Sequence, residues 1–255
     1  MSVENEREHG CVDRVIPWDL DAEAKAIALA ENPANGGDPD APTNQRIALV
    51  KSKMWRNGRT LRVRFLDGSS FLRKKAQEYA SKWTEHANLH FDFTDDPRSE
   101  IRVSFQSDPG RSWSAVGIDA LVERYFPRHQ PTMNFGWLHD DTREDELSRV
   151  IIHEFGHAIG CIHEHQNPAG GVQWNEPAVI QYYSGSPNNW DVTTIRRNIL
   201  DKYREDQLLG SAFDARSIML YSFPASLTMN GVGTGWNTTL SEMDIAFIRQ
   251  AYPRP

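Results

Sequence analysis

From Leu61 onward the chain alternates apolar Leu61, Val63 and Phe65 with charged Arg62 and Arg64, the period-two pattern of a strand with one wet face. Asp67-Gly68 ends it. Phe71, Leu72, Ala76, Tyr79, Ala80, Trp83 and Ala87 then recur at intervals of three and four, which predicts a helix of about four turns packed on the sheet. Alternation returns at Leu89, Phe91 and Phe93 and again at Ile101, Val103 and Phe105, with Asp95-Asp96-Pro97 as the turn between them. Strand, helix, strand, strand is the opening of an α+β fold. Weaker strand patterns cover 113–118 and 132–135. The acidic run 140–146 leads into a helix whose buried face is Leu147, Val150, Ile151, Ala158 and Ile159. Carboxylates favour a helix N-terminus through the dipole, and Asp141 with Glu144, or Thr142 with Asp145, has capping-box spacing. The Asp/Gly spacing of a calcium loop is missing, so the run reads as a solvated cap.

Residues 162–215 are rich in Asn, Pro, Gly and Trp, with one helical stretch near 191–203, so a second, mostly irregular lobe is expected. The chain closes with a cap at Ser241-Glu242-Met243-Asp244 and the stripe Ile245, Phe247, Ile248 and Tyr252 of a last helix. At the other end, residues 32–43 carry Pro, Gly, Asn and Asp that neither continue a helix nor enter a sheet, and they read as a linker. The short amphipathic helix before it, with Leu20, Ala24, Ile27 and Ala28 near helical spacing, needs a larger body to pack on. Residues 1–45 are therefore an extension and 46–255 the folded unit.

Composition narrows the function. A net charge of −7 with no basic run argues against nucleic acid as a partner. No stretch reaches the roughly 20 apolar residues of a bilayer span, and the first thirty residues lack a secretory h-region. Either the chain remains in the cytoplasm or it is secreted and an export signal has been trimmed from it; the residues leave both open. Two cysteines, Cys11 and Cys161, are too few for a disulfide framework, and a pair so far apart is more often two thiols than one bridge.

The chemistry is concentrated in one segment, His153-Glu154-Phe155-Gly156-His157-Ala158-Ile159-Gly160-Cys161-Ile162-His163. On a helix His153 and His157 fall one turn apart on a common side, so two imidazoles reach one ion. A catalytic zinc takes three protein ligands and keeps one position open, and Gly160 lets the chain leave the helix sharply so that His163 supplies the third nitrogen. Glu154, beside the first ligand, can take the proton of an attacking water without binding the metal and pass it to the leaving amine. A bare H-E-x-x-H occurs by chance in roughly one chain in a hundred of this length. The later glycine and third histidine reduce this to well under about one in ten thousand, and the longer form is the metzincin signature.

Further residues resemble the astacin-type metallopeptidases, bacterial branch, within that clan. Glu164 directly follows the third histidine, and Ser217-Ile218-Met219-Leu220-Tyr221 is similar to the astacin Met-turn. Trp113-Ser114-Ala115-Val116-Gly117 resembles the family's edge strand, Gly171-Val172-Gln173-Trp174-Asn175 its loop after the site, and 240–245 its final helix; the likeness covers roughly residues 46–255. The resemblance implies a metzincin fold: an upper lobe with a twisted mixed sheet and two long helices, a lower irregular lobe ending in a helix, and a cleft between. It implies a zinc-dependent endopeptidase with one catalytic ion, His153, His157 and His163 as ligands and Glu154 as general base. Tyr221 would stabilise the oxyanion, Met219 would underlie the site, and Gly160 and Glu164 would be structural beside it. Trp113, Ser114, Ala115 and Val116 would hold an extended peptide by backbone hydrogen bonds. Protein or peptide substrates and a monomer are expected.

The paired cysteines of animal astacins are absent, and Cys161 stands where a larger apolar residue is usual, acting as a small hydrophobe. Cys11 suggests a thiolate from the extension that binds the zinc and keeps the enzyme latent, with residues 1–45 as prosegment. The rival reading is a zinc-bound but catalytically idle module that holds peptides in the cleft; retention of Glu154 and Tyr221 speaks against it. His165, next to Glu164, is placed to line the cleft.

Overall fold

The computed structural model describes residues 10–36, 49–108, 111–168, 170, 172–203, 208–209 and 213–255. Along the chain these form β1 (Gly10–Arg14), α1 (Asp21–Glu31), β2 (Leu49–Val50), β3 (Thr60–Phe65), α2 (Ser70–Thr84), β4 (His90–Phe93), β5 (Ile101–Ser104), β6 (Arg111–Ala115) and β7 (Met133–Phe135). After them come α3 (Glu144–Ala158), α4 (Glu176–Tyr183), α5 (Val192–Ile195), β8 (Leu208–Leu209) and α6 (Glu242–Ala251). The strand and helix patterns of residues 61–105 are found where the alternation places them. Much of the predicted linker, like Gly171, lies outside the described residues, although Pro33–Gly36 form a 3-10 turn.

Six strands form one mixed sheet in the order β1-β6-β7-β5-β3-β4, with β6 and β7 antiparallel and the other neighbours parallel. Leu61 and Val63 of β3 point into the core, while Arg62 on the opposite face meets Glu100 at 2.7 Å and Asp96 at 3.1 Å. The Ser69 hydroxyl caps α2 by accepting the Leu72 amide at 3.1 Å, and Leu72, Ala76, Tyr79, Ala80 and Trp83 form its buried stripe. The Trp83 indole N–H donates to the Ile152 carbonyl at 2.8 Å, fastening α2 to α3. One core cluster fills the space between sheet, α2, α3 and α6.

Two expectations need correction. Neither capping box forms on α3: its N-cap is Arg143, which makes no side-chain cap bond. Glu144 instead reaches across to Lys75 and the Tyr79 hydroxyl of α2, and the Thr142 hydroxyl accepts the His139 amide at 2.8 Å, so an interhelix contact takes one capping group and a local turn takes the other. The helical stretch at 191–203 is shorter, α5 passing into a π-turn at Arg196–Leu200. Below the sheet, α4, α5 and the chain around Leu220–Leu227 enclose a second apolar cluster of Val179, Tyr183, Trp190, Ile195, Ile199, Leu220, Tyr221, Phe223 and Leu227. Cys11 is packed in this lower cluster and Cys161 in the upper one, and both are free thiols.

Candidate metal centre

Helix α3 carries His153 and His157 one turn apart, both buried. Its end is fixed from two distant places: the Trp55 indole N–H donates to the Ala158 carbonyl at 2.8 Å, and the Tyr252 hydroxyl donates to the Ile159 carbonyl at 2.7 Å. The chain then turns at Gly160, whose φ of +105° suits a residue without Cβ, and Cys161 N–H donates to the Gly156 carbonyl at 2.9 Å. This return brings His163 onto the helical pair.

The three Nε2 atoms converge, His157 lying 3.1 Å from His153 and 3.2 Å from His163. Tetrahedral zinc with Zn–N bonds of about 2.0–2.1 Å spaces its ligands about 3.3 Å apart, so the donor set fits that ion. Each ring is oriented from behind by an oxygen at Nδ1: the Ile218 carbonyl at 2.8 Å for His153, the Cys161 carbonyl at 2.8 Å for His157 and Gln166 Oε1 at 3.2 Å for His163. Nδ1–H donation to these oxygens leaves each Nε2 lone pair facing inward. Burial, followed by the neighbouring His157, pushes His153 and His163 well below the usual histidine range, so both are neutral imidazoles ready to ligate.

Comparison with known proteins agrees with this geometry. A sequence model of the Peptidase_M10 family, matrixin, matches residues 66–170. A solved structure of myroilysin is 41% identical, with a TM-score of 0.77 over 82% of this chain and 99% of that one. A second myroilysin crystal structure is 36% identical, with a TM-score of 0.61 over 86% and 97%. High choriolytic enzyme 1, a hatching enzyme zinc-protease from the medaka fish Oryzias latipes, is 17% identical with a TM-score of 0.54 over 83% and 100%, a likeness of fold. No curated protein matches. The chain is an astacin-type metzincin. It is a zinc metallopeptidase, and therefore a hydrolase.

The other residues singled out in the sequence of this metzincin gather around the triad, with informative differences. Tyr221 has its ring 4.4 Å from that of His163 and 4.8 Å from that of His165. Met219 lies beneath α3 against Gly156, where a Cβ would come within 2.4 Å of its sulfur and 2.9 Å of Trp83. Glu154 is fully buried beside His153. Glu164 is also buried, its Oε1 accepting the Asp214 amide at 3.0 Å, and burial pushes its carboxyl up to about 8. His165 is buried, and its Nε2–H donates to the Asn198 carbonyl at 2.8 Å.

The presumed edge strand, Trp113, Ser114, Ala115 and Val116, is not an edge. It lies in β6, with Val116 just beyond the strand, and β1 runs parallel along it with Cys11 opposite Ser112. Cys11 thereby comes into the site, its Sγ within 4.8 Å of donor atoms of both His153 and Glu154. Burial, and next the Glu154 carboxylate, raise its pKa well above the ordinary thiol value.

The sequence gives no sign of the role of the residues behind the three histidines. Asp244, read there only as part of a cap, accepts the Ile218 amide at 2.9 Å and the Ser217 hydroxyl at 2.8 Å, while the Ile218 carbonyl holds His153. Asp244 also closes the capping box of α6 with Ser241, whose hydroxyl donates to Asp214 at 2.6 Å. One buried carboxylate thus fixes the turn at Ser217–Ile218 and, through the single residue Ile218, the ring of His153. Asp244→Asn is expected to weaken zinc binding by about tenfold, the lower end of what orienting partners contribute, read by competition with a chelator. Unchanged zinc affinity in a folded variant would contradict the relay. Gln166 is itself held by the Arg197 and Asp201 carbonyls at 2.6 and 3.2 Å, so the π-turn steers His163. The S-x-x-D capping pattern was a sequence signal for Asp244; Gln166 had none, because its partners are backbone atoms of a non-periodic segment.

Proposed function

We propose that this metzincin is an endopeptidase that hydrolyses peptide bonds at one zinc ion held by His153, His157 and His163, and that its own N-terminal segment keeps it latent. The observation that carries the first part is the convergence of three oriented, neutral imidazole nitrogens at 3.1 and 3.2 Å beside a buried carboxylate. Zinc, when bound there, supplies a Lewis acid for the carbonyl and an acidified water. Glu154 takes a proton from the attacking water as its oxygen bonds to the carbonyl carbon, and delivers that proton to the amine as the C–N bond breaks. Tyr221, its ring 4.4 Å from that of His163, supplies a hydroxyl donor where negative charge develops on the carbonyl oxygen. An extended peptide would take the place of β1 along β6.

Support for latency is that β1 occupies that place. Gly10 N–H donates to Asn188 Oδ1 at 2.9 Å, a Cβ at Gly10 would come within 2.6 Å of the Trp190 ring, and Cys11 follows beside Glu154. A thiolate there would compete with water for the metal's open position. The reading divides the chain into an N-terminal prosegment, residues 1–45, and a catalytic domain, 46–255.

Removal of metal tests the proposal. Dialysis of the Cys11→Ala chain against a chelator is expected to abolish its casein cleavage and lower its melting temperature. Adding back one equivalent of zinc should restore both; cleavage that persists in metal-free protein would refute it.

A further inference from the structure

The strand β1 is a cast of the groove it fills, and its last residue makes an informative contact. Arg14, opposite Ala115 in the register, lies three residues beyond Cys11, about 10 Å along the strand from the metal-facing position. Its guanidinium carbon sits 4.5 Å from the centre of the Trp113 ring, 5.5 Å from that of Tyr125 and 6.0 Å from that of Phe126. The rings brace one another: Trp113 and Phe126 stack at 6.4 Å, and Tyr125 meets Phe126 edge-on at 4.7 Å. Trp113 and Phe126 are buried and Tyr125 is half-buried. Among the described residues the Arg14 charge is met by these ring faces and by no carboxylate.

We propose that Trp113, Tyr125 and Phe126 form a cation-recognising subsite of the substrate groove, filled by Arg14 while β1 is in place and by a lysine or arginine side chain of the substrate once β1 has left. This rests on the endopeptidase reading and adds to it a preference that backbone pairing along β6 cannot supply. Three braced rings present a negative quadrupole that attracts a cation without a counter-charge, and a guanidinium loses less hydration than an ammonium on entering such a site. A neutral side chain of the same shape gains the packing and lacks the attraction. Arg14 therefore has two jobs: it holds the strand against β6, and it keeps substrate side chains out.

The test uses the full-length, zinc-loaded chain with Cys11→Ala and Arg14→Ala together, which frees the metal and the rings while keeping every other residue. Peptides of one neutral sequence carry arginine, or its uncharged isostere citrulline, at each position in turn. The expected result is one position at which kcat/KM for arginine exceeds that for citrulline by about 2- to 30-fold, the range of a cation–π contact, and a ratio near one elsewhere. Adding Trp113→Leu should bring the favoured ratio down to about one; Tyr125→Leu, at the rim, serves if Trp113→Leu does not fold. A ratio near one at every position, or a preference that survives loss of the ring, overturns the subsite. Should no peptide be cut, it is the endopeptidase reading that fails, and fluorescence polarisation of the same labelled peptides decides on the subsite. Tighter binding of the arginine form that is lost with Trp113 supports it, and equal binding of the two forms refutes it.

Discussion

Glu154→Gln is expected to leave zinc bound at one ion per chain and to lower peptide cleavage by about a thousandfold, within the range of a positioned general acid–base group. The two halves of this expectation come from different features of the site. Metal retention follows from the triad, because the three Nε2 atoms and their Nδ1 partners, Ile218, Cys161 and Gln166, do not involve Glu154. Loss of rate follows from chemistry: glutamine fills the same volume and still accepts a hydrogen bond, but it takes no proton from water and has none to give the leaving amine. Elemental analysis and a peptide assay on one preparation check both. If the variant keeps more than a few per cent of the activity, Glu154 is not the base. If it loses zinc, Glu154 belongs to the coordination sphere and the division of labour is wrong. A chain freed of residues 1–45, and with them of Cys11, that binds zinc and cuts nothing would instead favour an idle peptide-holding module, against which the buried Glu154 and the adjacent Tyr221 are the structural objections.

Some of this was legible in the sequence because it is local. Leu72, Ala76, Tyr79, Ala80 and Trp83 show themselves as a helix face from spacing alone, and His153 and His157 share a side of α3 for the same reason. Gly160 and His163 follow the end of α3 at Ala158 within a few residues, close enough for the spacing to specify the return of the chain. The groups that hold the three histidines in place are not local. Trp55 and Tyr252, which end α3, are 103 and 93 residues from the carbonyls they bind, and Asp244 is 26 residues from Ile218. Such contacts leave no period in the sequence, and each residue has an adequate local reading as core or cap.

The capping boxes expected on α3 fail for the same reason in reverse. Glu144 has a good local partner on paper and a better one on α2, and tertiary contact overrides the local preference. For β1 there was no strand signal at all. Gly-Cys-Val-Asp-Arg is too short and too mixed to show a face, and its parallel partner lies about a hundred residues away. Cys11 could be suspected as a metal-directed thiol, but the groove that it would guard had to be seen.

Cys11→Ala is expected to raise the initial rate of peptide cleavage by the full-length, zinc-loaded chain, by about tenfold or more if the thiolate is worth at least 1.4 kcal/mol to the closed form. Without a cation the surroundings of Cys11 favour the thiol, since burial and the Glu154 carboxylate both oppose its ionisation. Cys11 can therefore hold the enzyme closed only in partnership with the metal, and chelation should loosen β1 along with abolishing activity. The remaining contacts of the strand, from Gly10 to Asn188 and from Arg14 to the rings, survive the substitution, so activation should be incomplete. Removing residues 1–45 by limited proteolysis should raise the rate further. A readout independent of turnover is the near-ultraviolet thiolate-to-metal charge-transfer band of cobalt-substituted protein, expected in the full chain and absent after Cys11→Ala. Equal rates together with identical cobalt spectra would show that the sulfur never reaches the metal. The strand would then block β6 by backbone pairing alone, and Cys11 would be a small apolar residue of the lower core, packed with Trp190 and Tyr221.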